Sequence, residues 1–312
     1  MTKNLTLEGT LARSITRAAS QQAYYTIRFL VDRDLVDDAY GAYAYFRWMD
    51  DIVDAGLVSG SERSAFLERQ KTLLDDCYRD KLSIFPTLEE KMLIQLIRHD
   101  HERNSGMHVY LHNMMEVMEF DVNRRGRLIS QAELDQYTHC LASAVTEAMH
   151  YFIGHGYYSP HNEYRYLAVT GAHIVHMLRD AYQDLHDGYY NIPSDVLETA
   201  RIHPQDIQSG AYRAWVQSRI QLARKYFNAG REYLAQVENA RCRLAGFAYM
   251  ARFEWLLDTI ELEDYILRRG YGERKSLGAK YQVGMLAFSS MINSRSKHPV
   301  RQHAFSHLWR KP

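Results

Sequence analysis

The chain is poor in the residues that mark several classes of protein. Its 312 residues include only three cysteines and six prolines. The cysteines are far apart and odd in number, so neither a disulfide framework nor a metal-ligand spacing follows from them, and a reducing compartment is expected. No apolar run approaches the roughly 18 residues that a membrane-spanning helix needs. The polar first residues lack the apolar core of a signal peptide, and we therefore expect a cytoplasmic protein.

Charge of either sign is not in excess. The 38 basic and 38 acidic residues cancel, so no overall field favours binding to nucleic acid. Glycine-rich phosphate loops, nucleophile elbows and dinucleotide fingerprints are missing from the sequence. The composition is 46% hydrophobic and includes 23 tyrosines. That balance is typical of a globular protein with aromatic surface for a core or for an apolar ligand.

Helical periodicity dominates the pattern of apolar residues, and strand signals are weak throughout. Three serine or threonine residues are followed by a glutamate at capping-box spacing, namely Ser59 with Glu62, Thr87 with Glu90 and Ser130 with Glu133. Gly188 is placed to end a helix. We predict an all-α fold with helices over residues 15–30, 35–53, 59–80, 130–155, 164–185, 212–236 and 240–269, another helix after Thr87, and an irregular stretch between Pro193 and Pro204.

The same patterns predict a single domain over residues 1–312. No linker, composition break or internal repeat divides the sequence. The core of the domain is expected over about residues 14–275. Residues 276–312 are expected to form a basic C-terminal tail.

Two acidic clusters carry most of the chemical information. Asp50 and Asp54 form the first cluster, and Asp180 and Asp184 form the second. Four residues separate the aspartates of each pair, so both carboxylates share one helix face. Mg²⁺ prefers oxygen ligands and commonly completes its shell with substrate phosphate oxygens. We therefore predict that the two pairs form facing walls of a metal–diphosphate site.

Arginine and aromatic residues accompany both clusters. Arg47 lies one turn before Asp50, and Arg179 is next to Asp180. Guanidinium groups suit bidentate contacts to phosphate, and aromatic faces stabilise a nearby carbocation. Two purely structural interpretations also remain open. Each aspartate pair would belong to a solvent-exposed helix face, and the aromatic residues would belong to the hydrophobic core.

The residues around both clusters resemble the squalene/phytoene synthase family. Residues 42–54 are similar to the family's aromatic–Arg–Asp-rich motif. Residues 178–185, followed by 190–193, resemble its second Asp-rich motif. The likeness covers about residues 14–275, and further segments resemble the central and late helices, namely 118–121, 133–137 and 251–258.

The resemblance implies an all-α isoprenoid synthase fold with a central cavity and a Mg²⁺-dependent ionisation of a prenyl diphosphate. In the family, two farnesyl or geranylgeranyl diphosphates join head to head to a C30 or C40 product such as squalene, dehydrosqualene or phytoene. Use of NADPH stays open. By this resemblance about two or three Mg²⁺ ions would be held by the catalytic residues Asp50, Asp54, Asp180 and Asp184. Substrate-binding roles are implied for Tyr43, Arg47, Tyr137, His173, His176, Arg179, Phe253 and Arg269.

Several positions depart from the family pattern. Glutamine and asparagine usually stand seven and four residues before the second Asp motif, where this chain has His173 and His176. Residues 142–146 replace a small-residue motif with two glycines. Phe253 stands where a tyrosine is usual, and Arg269 matches a basic residue only with a one-residue shift. Imidazole is a poorer Mg²⁺ ligand than an amide and can carry a proton near neutral pH.

The departures leave several interpretations open. In one interpretation, the enzyme still ionises a prenyl diphosphate, but the acceptor or the product differs from that of the family. In the other, His173 and His176 are core residues or support the site without contacting the substrate. A same-fold terpene synthase and a non-catalytic assembly scaffold are the alternatives to head-to-head synthesis. Because the implied substrate has a long apolar chain, peripheral contact of the protein with a membrane is a further open question. No protein partner is inferable, and no nucleic acid partner is expected.

Overall fold

A computed structural model describes residues 6–55, 59–81, 85–102 and 104–272. Within these ranges the chain is helical and no strand occurs, so the all-α prediction is confirmed. The predicted tail over residues 276–312 lies outside the described residues. The helices are α1 Leu7–Ala19, α2 Gln21–Leu30, α3 Val36–Asp54, α4 Gly60–Tyr78, α5 Glu90–His99, α6 Gly106–Arg124, α7 Gln131–Phe152, α8 Leu167–Asp187, α9 Ser194–Ala200, α10 Gly210–Gln236 and α11 Ala240–Leu262.

The predicted capping boxes form at the starts of α4, α5 and α7. In each of them the hydroxyl accepts from the glutamate backbone N–H while the carboxylate accepts from the backbone N–H of the serine or threonine. Gly188 ends α8 in the left-handed conformation, with φ of 86°. Local chemistry therefore determines these helix ends, which is why they could be predicted.

Two predicted helix boundaries were wrong. Residues 15–30 are not one helix, because Ser20 adopts an extended conformation, and its hydroxyl accepts from the backbone N–H of Ala23 at 3.1 Å to cap α2. The last helix ends at Leu262 rather than at Arg269. Asp264 and Tyr265 have φ values of 54° and 62°, which no α-helix accommodates.

Two smaller differences have equally local causes. The stretch between Pro193 and Pro204 was predicted to be irregular but contains the two-turn helix α9. Helix α7 ends at Phe152 and not at His155, since Gly154 adopts a left-handed conformation with φ of 81°.

The described residues divide into two compact units. The first contains the described residues within the ranges 6–123 and 143–156. In this unit α1 and α5 both pack against α3, and α4 packs against α5. The hydroxyl of the fully buried Tyr45 donates to Gln70 Oε1 at 3.0 Å, and Gln70 Nε2 donates to Glu90 at 2.9 Å. This chain of hydrogen bonds joins α3, α4 and α5.

The described residues of the second unit are 124–142 and 157–272. Here α8 packs against both α10 and α11. The approach to α10 is very close, because a Cβ atom at Gly230 would lie 2.8 Å from the Cβ of Ala168. A Cβ atom at Gly171 would lie 3.1 Å from the Phe227 ring. These small residues let α8 bury its N-terminal half on nearly every side.

The described helices can be compared with the length and hydropathy of a membrane-spanning helix. None of those helices combines the length and the apolar character that crossing a bilayer requires.

The buried carboxylate of Glu90 provides a test of the first unit. Arg69 donates to both of its oxygens, at 2.7 and 2.8 Å. Burial would raise the pKa of Glu90, but the hydrogen bonds from Arg69, Thr87 and Gln70 lower it below its usual value. Glu90→Gln places an amide donor opposite these donors, and we expect the free energy of unfolding in urea to fall by about 2–3 kcal/mol.

The matched control is Glu68→Gln on α4, whose side chain is 68% exposed. That variant should change the free energy of unfolding by less than about 0.5 kcal/mol. Equal stability of both variants would show that the Glu90 network does not hold the first unit together.

Candidate active site

The first acidic cluster lies on the last turns of α3. Arg47 donates to Asp50 Oδ2 at 3.0 Å and also forms an ion pair with Asp51. Burial, together with the like charge of Asp54 and then of Asp121, raises the pKa of Asp50 to about 6, although Arg47 opposes this. Negative charge is therefore concentrated around Asp50, whose side chain is 37% exposed.

Asp121 is a member of this cluster that sequence reasoning treated only as part of a supporting segment. It lies near the end of α6 and acts on Asp50 through its charge. The aromatic residues of α3 divide into two groups. Tyr45 and Phe46 are buried in the core, whereas Tyr43 is half-buried.

The second acidic cluster lies on the C-terminal half of α8. Arg179 Nε donates to Asp180 Oδ1 at 2.6 Å, and a second guanidinium N–H contacts Oδ2. His176 Nε2 lies 2.9 Å from the same Oδ2 atom, as the i,i+4 spacing predicts. Burial would raise the pKa of Asp180, but hydrogen bonds from His176 and Arg179 hold it well below its usual range. Asp180 is therefore ionised at any physiological pH.

Asp184 is positioned by a buried relay that sequence reasoning missed. Asn191 Nδ2 donates to Asp184 Oδ2 at 2.5 Å, and Arg124 donates to Asn191 Oδ1 at 2.9 Å. The guanidinium carbon of Arg124 lies 5.0 Å from the ring centroid of Tyr137 and 4.8 Å from that of Tyr189. Arg124 is only 7% exposed. An arginine is usually exposed, so nothing in the sequence alone indicates that this one is buried.

Tyr137 and His173 meet in the same part of the second unit. Their ring centroids are 5.1 Å apart in an edge-to-face arrangement, and both residues are buried. His173 also lies 3.1 Å from the hydroxyl of Thr138. Burial, with smaller contributions from His176 and Arg124, lowers the pKa of His173 to about 3.

The remaining predicted residues lie at the margin of this group. Phe253 on α11 is buried, and its ring centroid is 6.3 Å from that of His176. Arg269 follows α11, and its guanidinium carbon is 5.4 Å from the ring centroid of Tyr182 on α8.

The predicted residues therefore fall into two sets. The α3 set comprises Tyr43, Arg47, Asp50 and Asp54. The second set lies on or near α8 and comprises Tyr137, His173, His176, Arg179, Asp180, Asp184, Phe253 and Arg269. A pocket of about 330 Å³ on the first unit contains none of them and is lined by Pro86, Lys91, Ile94, Gln95 and Arg98.

Comparison with known proteins identifies the family. A family model described as squalene/phytoene synthase matches residues 16–277. Because this range covers most of the chain, the protein belongs to the squalene/phytoene synthase family. Phytoene synthase 2, chloroplastic, from Solanum lycopersicum is 30% identical over 104 residues, which are 31% of this chain and 33% of that protein. The match thus spans about a third of the curated relative's length.

Solved structures show the same fold. Squalene synthase HpnC from Alicyclobacillus acidocaldarius has a TM-score of 0.66 at 18% identity, covering 84% of this chain and 95% of its own. A dehydrosqualene synthase in complex with ligand has a TM-score of 0.67 at 13% identity, covering 93% and 97%. The predicted isoprenoid synthase fold is confirmed.

The relay to Asp184 can be tested through Arg124. Arg124→Met removes the hydrogen bond to Asn191 and the cation–π contacts to two tyrosine rings. We expect this change to lower the free energy of unfolding by about 2–4 kcal/mol, as measured in urea. The control is Arg127→Met, since Arg127 is 47% exposed and pairs with Glu133 at the surface. It should cost less than about 1 kcal/mol. A similar loss in both variants would contradict a buried role for Arg124.

The raised pKa of Asp50 predicts a pH-dependent stability. Its carboxyl is protonated in both folded and unfolded chains below about pH 4, whereas above about pH 6 the folded chain holds a carboxylate that is partly buried beside the like charges of Asp54 and Asp121. Stability therefore falls as pH rises through this window. In metal-free buffer, Asp50→Asn should melt at a higher temperature than the wild type at pH 7 and at the same temperature at pH 4.

Asp51→Asn is the matched control for this experiment, because the Asp51 side chain is 55% exposed. It should show no gain in melting temperature at pH 7. A gain for Asp50→Asn that is the same at both pH values would mean that like-charge repulsion and burial do not act on Asp50.

Proposed function

We propose that the protein is a prenyltransferase that ionises a prenyl diphosphate, either farnesyl or geranylgeranyl, with the help of Mg²⁺. Two prenyl units would then be joined head to head to a C30 or C40 isoprenoid. Family membership supports the reaction class. The observation that carries the proposal is the aspartate pair with an adjacent arginine on each of two helices of a protein of this family, Asp50/Asp54 on α3 and Asp180/Asp184 on α8.

The donor chemistry of these residues fits Mg²⁺. All four aspartates offer carboxylate oxygens, the ligands that hard divalent cations prefer. Across the described ranges, no group of three or more histidine, cysteine, aspartate or glutamate residues is arranged to hold a metal by itself. Mg²⁺ needs only one or two carboxylates per ion when phosphate oxygens and water supply the rest. When bound, Mg²⁺ would neutralise the diphosphate as it leaves.

The two clusters would contribute differently. Asp180 is already ionised through its contacts with Arg179 and His176, so it would accept a cation without releasing a proton. Asp50, with a pKa of about 6, would release its remaining proton as a cation binds. The relay from Arg124 through Asn191 would fix the orientation of Asp184.

Arginine and aromatic side chains would serve the substrate itself. Arg47 and Arg179 are held beside the acidic clusters and would donate to diphosphate oxygens. The buried rings of Tyr137 and Phe253 would line the hydrocarbon path, where their faces stabilise a carbocation.

The proposal predicts Mg²⁺-dependent release of diphosphate. Purified protein is incubated with farnesyl or geranylgeranyl diphosphate, with Mg²⁺ or with EDTA, and both diphosphate and extracted products are measured. We expect release only with Mg²⁺ and a C30 or C40 product by mass spectrometry. Asp50→Asn and Asp180→Asn should each lower the rate by at least about 100-fold, because each removes a charge that the transition state needs.

Asp187→Asn is the matched control on α8, since Asp187 interacts with Gln183 at the exposed end of the helix. It should retain most of the wild-type rate. Diphosphate release that is unaffected by EDTA and by both aspartate variants would contradict the proposal.

A further inference from the structure

The pocket on the first unit is formed by Pro86 and by the outer face of α5. Lys91, Gln95 and Arg98 follow one another along this helix at intervals of four and three residues, so their side chains share one face. Most of the apolar residues between them are buried where α5 packs against α3. Helix α5 therefore has an apolar face for the core and a basic face that lines a cavity.

The lining of this pocket suits an anion that carries an apolar group. Lys91 and Arg98 supply two positive charges, and among the described residues no acidic side chain lines the cavity. Lys91 has an acidic neighbour in Glu8, whose Oε1 atom lies 4.0 Å from its Nζ atom. Arg98 forms no ion pair with any residue that the structure describes. Pro86 and Ile94 add apolar surface. The volume of about 330 Å³ is within the range of about 300–1,000 Å³ that ligand pockets occupy.

An exposed aromatic ring adjoins the pocket. Phe85 directly precedes Pro86, and its relative exposure is 100%. The backbone at this point is nevertheless held in place. Arg69 donates to the carbonyl oxygen of Phe85 at 3.5 Å and to Glu90 at 2.8 Å. Glu90 also accepts from the backbone N–H of Thr87 at 2.9 Å. An anchored segment thus presents a phenylalanine ring to solvent, where the ring gains none of the stabilisation that burial provides.

We propose that this surface docks on a membrane, with the phosphate group of an anionic phospholipid between Lys91 and Arg98 and the ring of Phe85 inserted among the acyl chains. A phospholipid bilayer supplies both partners at once, a negative charge for the cations and hydrocarbon for the ring. A soluble phosphate would pair with the cations but leave the ring in water. Docking does not depend on the reaction that the protein catalyses, because the pocket contains none of the predicted site residues.

The test measures binding of the purified full-length protein to lipid vesicles by cosedimentation. One set of vesicles contains phosphatidylcholine alone, and the other contains equal parts of phosphatidylcholine and phosphatidylglycerol. We expect the wild type to bind the anionic vesicles at least about tenfold more tightly, since each cation near an anionic surface contributes about fivefold. This preference should decrease at high salt, because the charges are then screened.

A double variant tests the two cations. Lys91→Gln combined with Arg98→Gln should bring the affinity for anionic vesicles to within about threefold of that for phosphatidylcholine vesicles. The matched control is Arg127→Gln combined with Arg201→Gln, which removes the same charge at two exposed positions of the second unit. This control should keep most of the preference for anionic vesicles, because neither arginine lines the pocket.

Substitution of Phe85 tests insertion of the ring. Phe85→Ser should weaken binding to both kinds of vesicle by at least about fivefold. Phe85→Trp should bind as tightly as the wild type, because tryptophan is favoured at a membrane interface. Phe29→Ser makes the same change at another phenylalanine, which is 66% exposed, and should leave binding unchanged. All of the replaced side chains are exposed, and thermal melting followed by circular dichroism checks that each variant is folded.

Three results would overturn the docking surface. The wild type could remain in the supernatant with both kinds of vesicle. It could bind vesicles equally well after the double substitution at Lys91 and Arg98 and after Phe85→Ser, which would mean that another surface contacts the lipid. Finally, calorimetry could show saturable binding of glycerol 1-phosphate that the double variant loses, while no vesicle binding occurs. That result would assign the pocket to a soluble phosphate ester.

Discussion

The close packing of α8 against α10 is the constraint on which the second unit depends. Gly230 and Ala168 approach so closely that a single methyl group at Gly230 would clash with Ala168. Gly171 gives the Phe227 ring similar room. With its N-terminal half enclosed in this way, α8 cannot rotate or shift without loss of packing. The positions of His173, Asp180 and Asp184 therefore follow from small residues that have no chemical role themselves.

The surroundings of Asp50 and Asp180 shift the pKa values of these two carboxyl groups in opposite directions. Asp180 is stabilised as a carboxylate by His176 and Arg179, whereas Asp50 is destabilised as a carboxylate by burial and by neighbouring acids. The second arrangement costs stability in the absence of a cation. Such a cost is common at functional sites, where groups are arranged for a ligand and not for the folded chain alone. A structural role does not account for the carboxylates gathered around Asp50.

Much of the fold and part of the site could be predicted from the sequence, because residues close together along the chain determine them. Helix starts were predictable where a capping box fixes them, as at Ser59, and the four motif aspartates were recognised by spacing and resemblance. The break at Ser20 was missed because its flanking residues keep helical periodicity. Arg124 was missed because burial of an arginine depends on rings that come from distant positions of the chain. The contact between His173 and Thr138 was also missed, since it joins α8 to α7. The single-domain assignment and the roles of the site residues remain predictions.

The central claim is that the aspartates bind a prenyl diphosphate through Mg²⁺. The most direct test is calorimetric titration of the protein with a farnesyl thiodiphosphate, which resists ionisation and therefore isolates binding from turnover. We expect binding with Mg²⁺ to be at least about 100-fold tighter than in EDTA, a coupling of about 2.7 kcal/mol, and expect Asp180→Asn to abolish most of that difference. Equal affinity with and without Mg²⁺ would contradict the account.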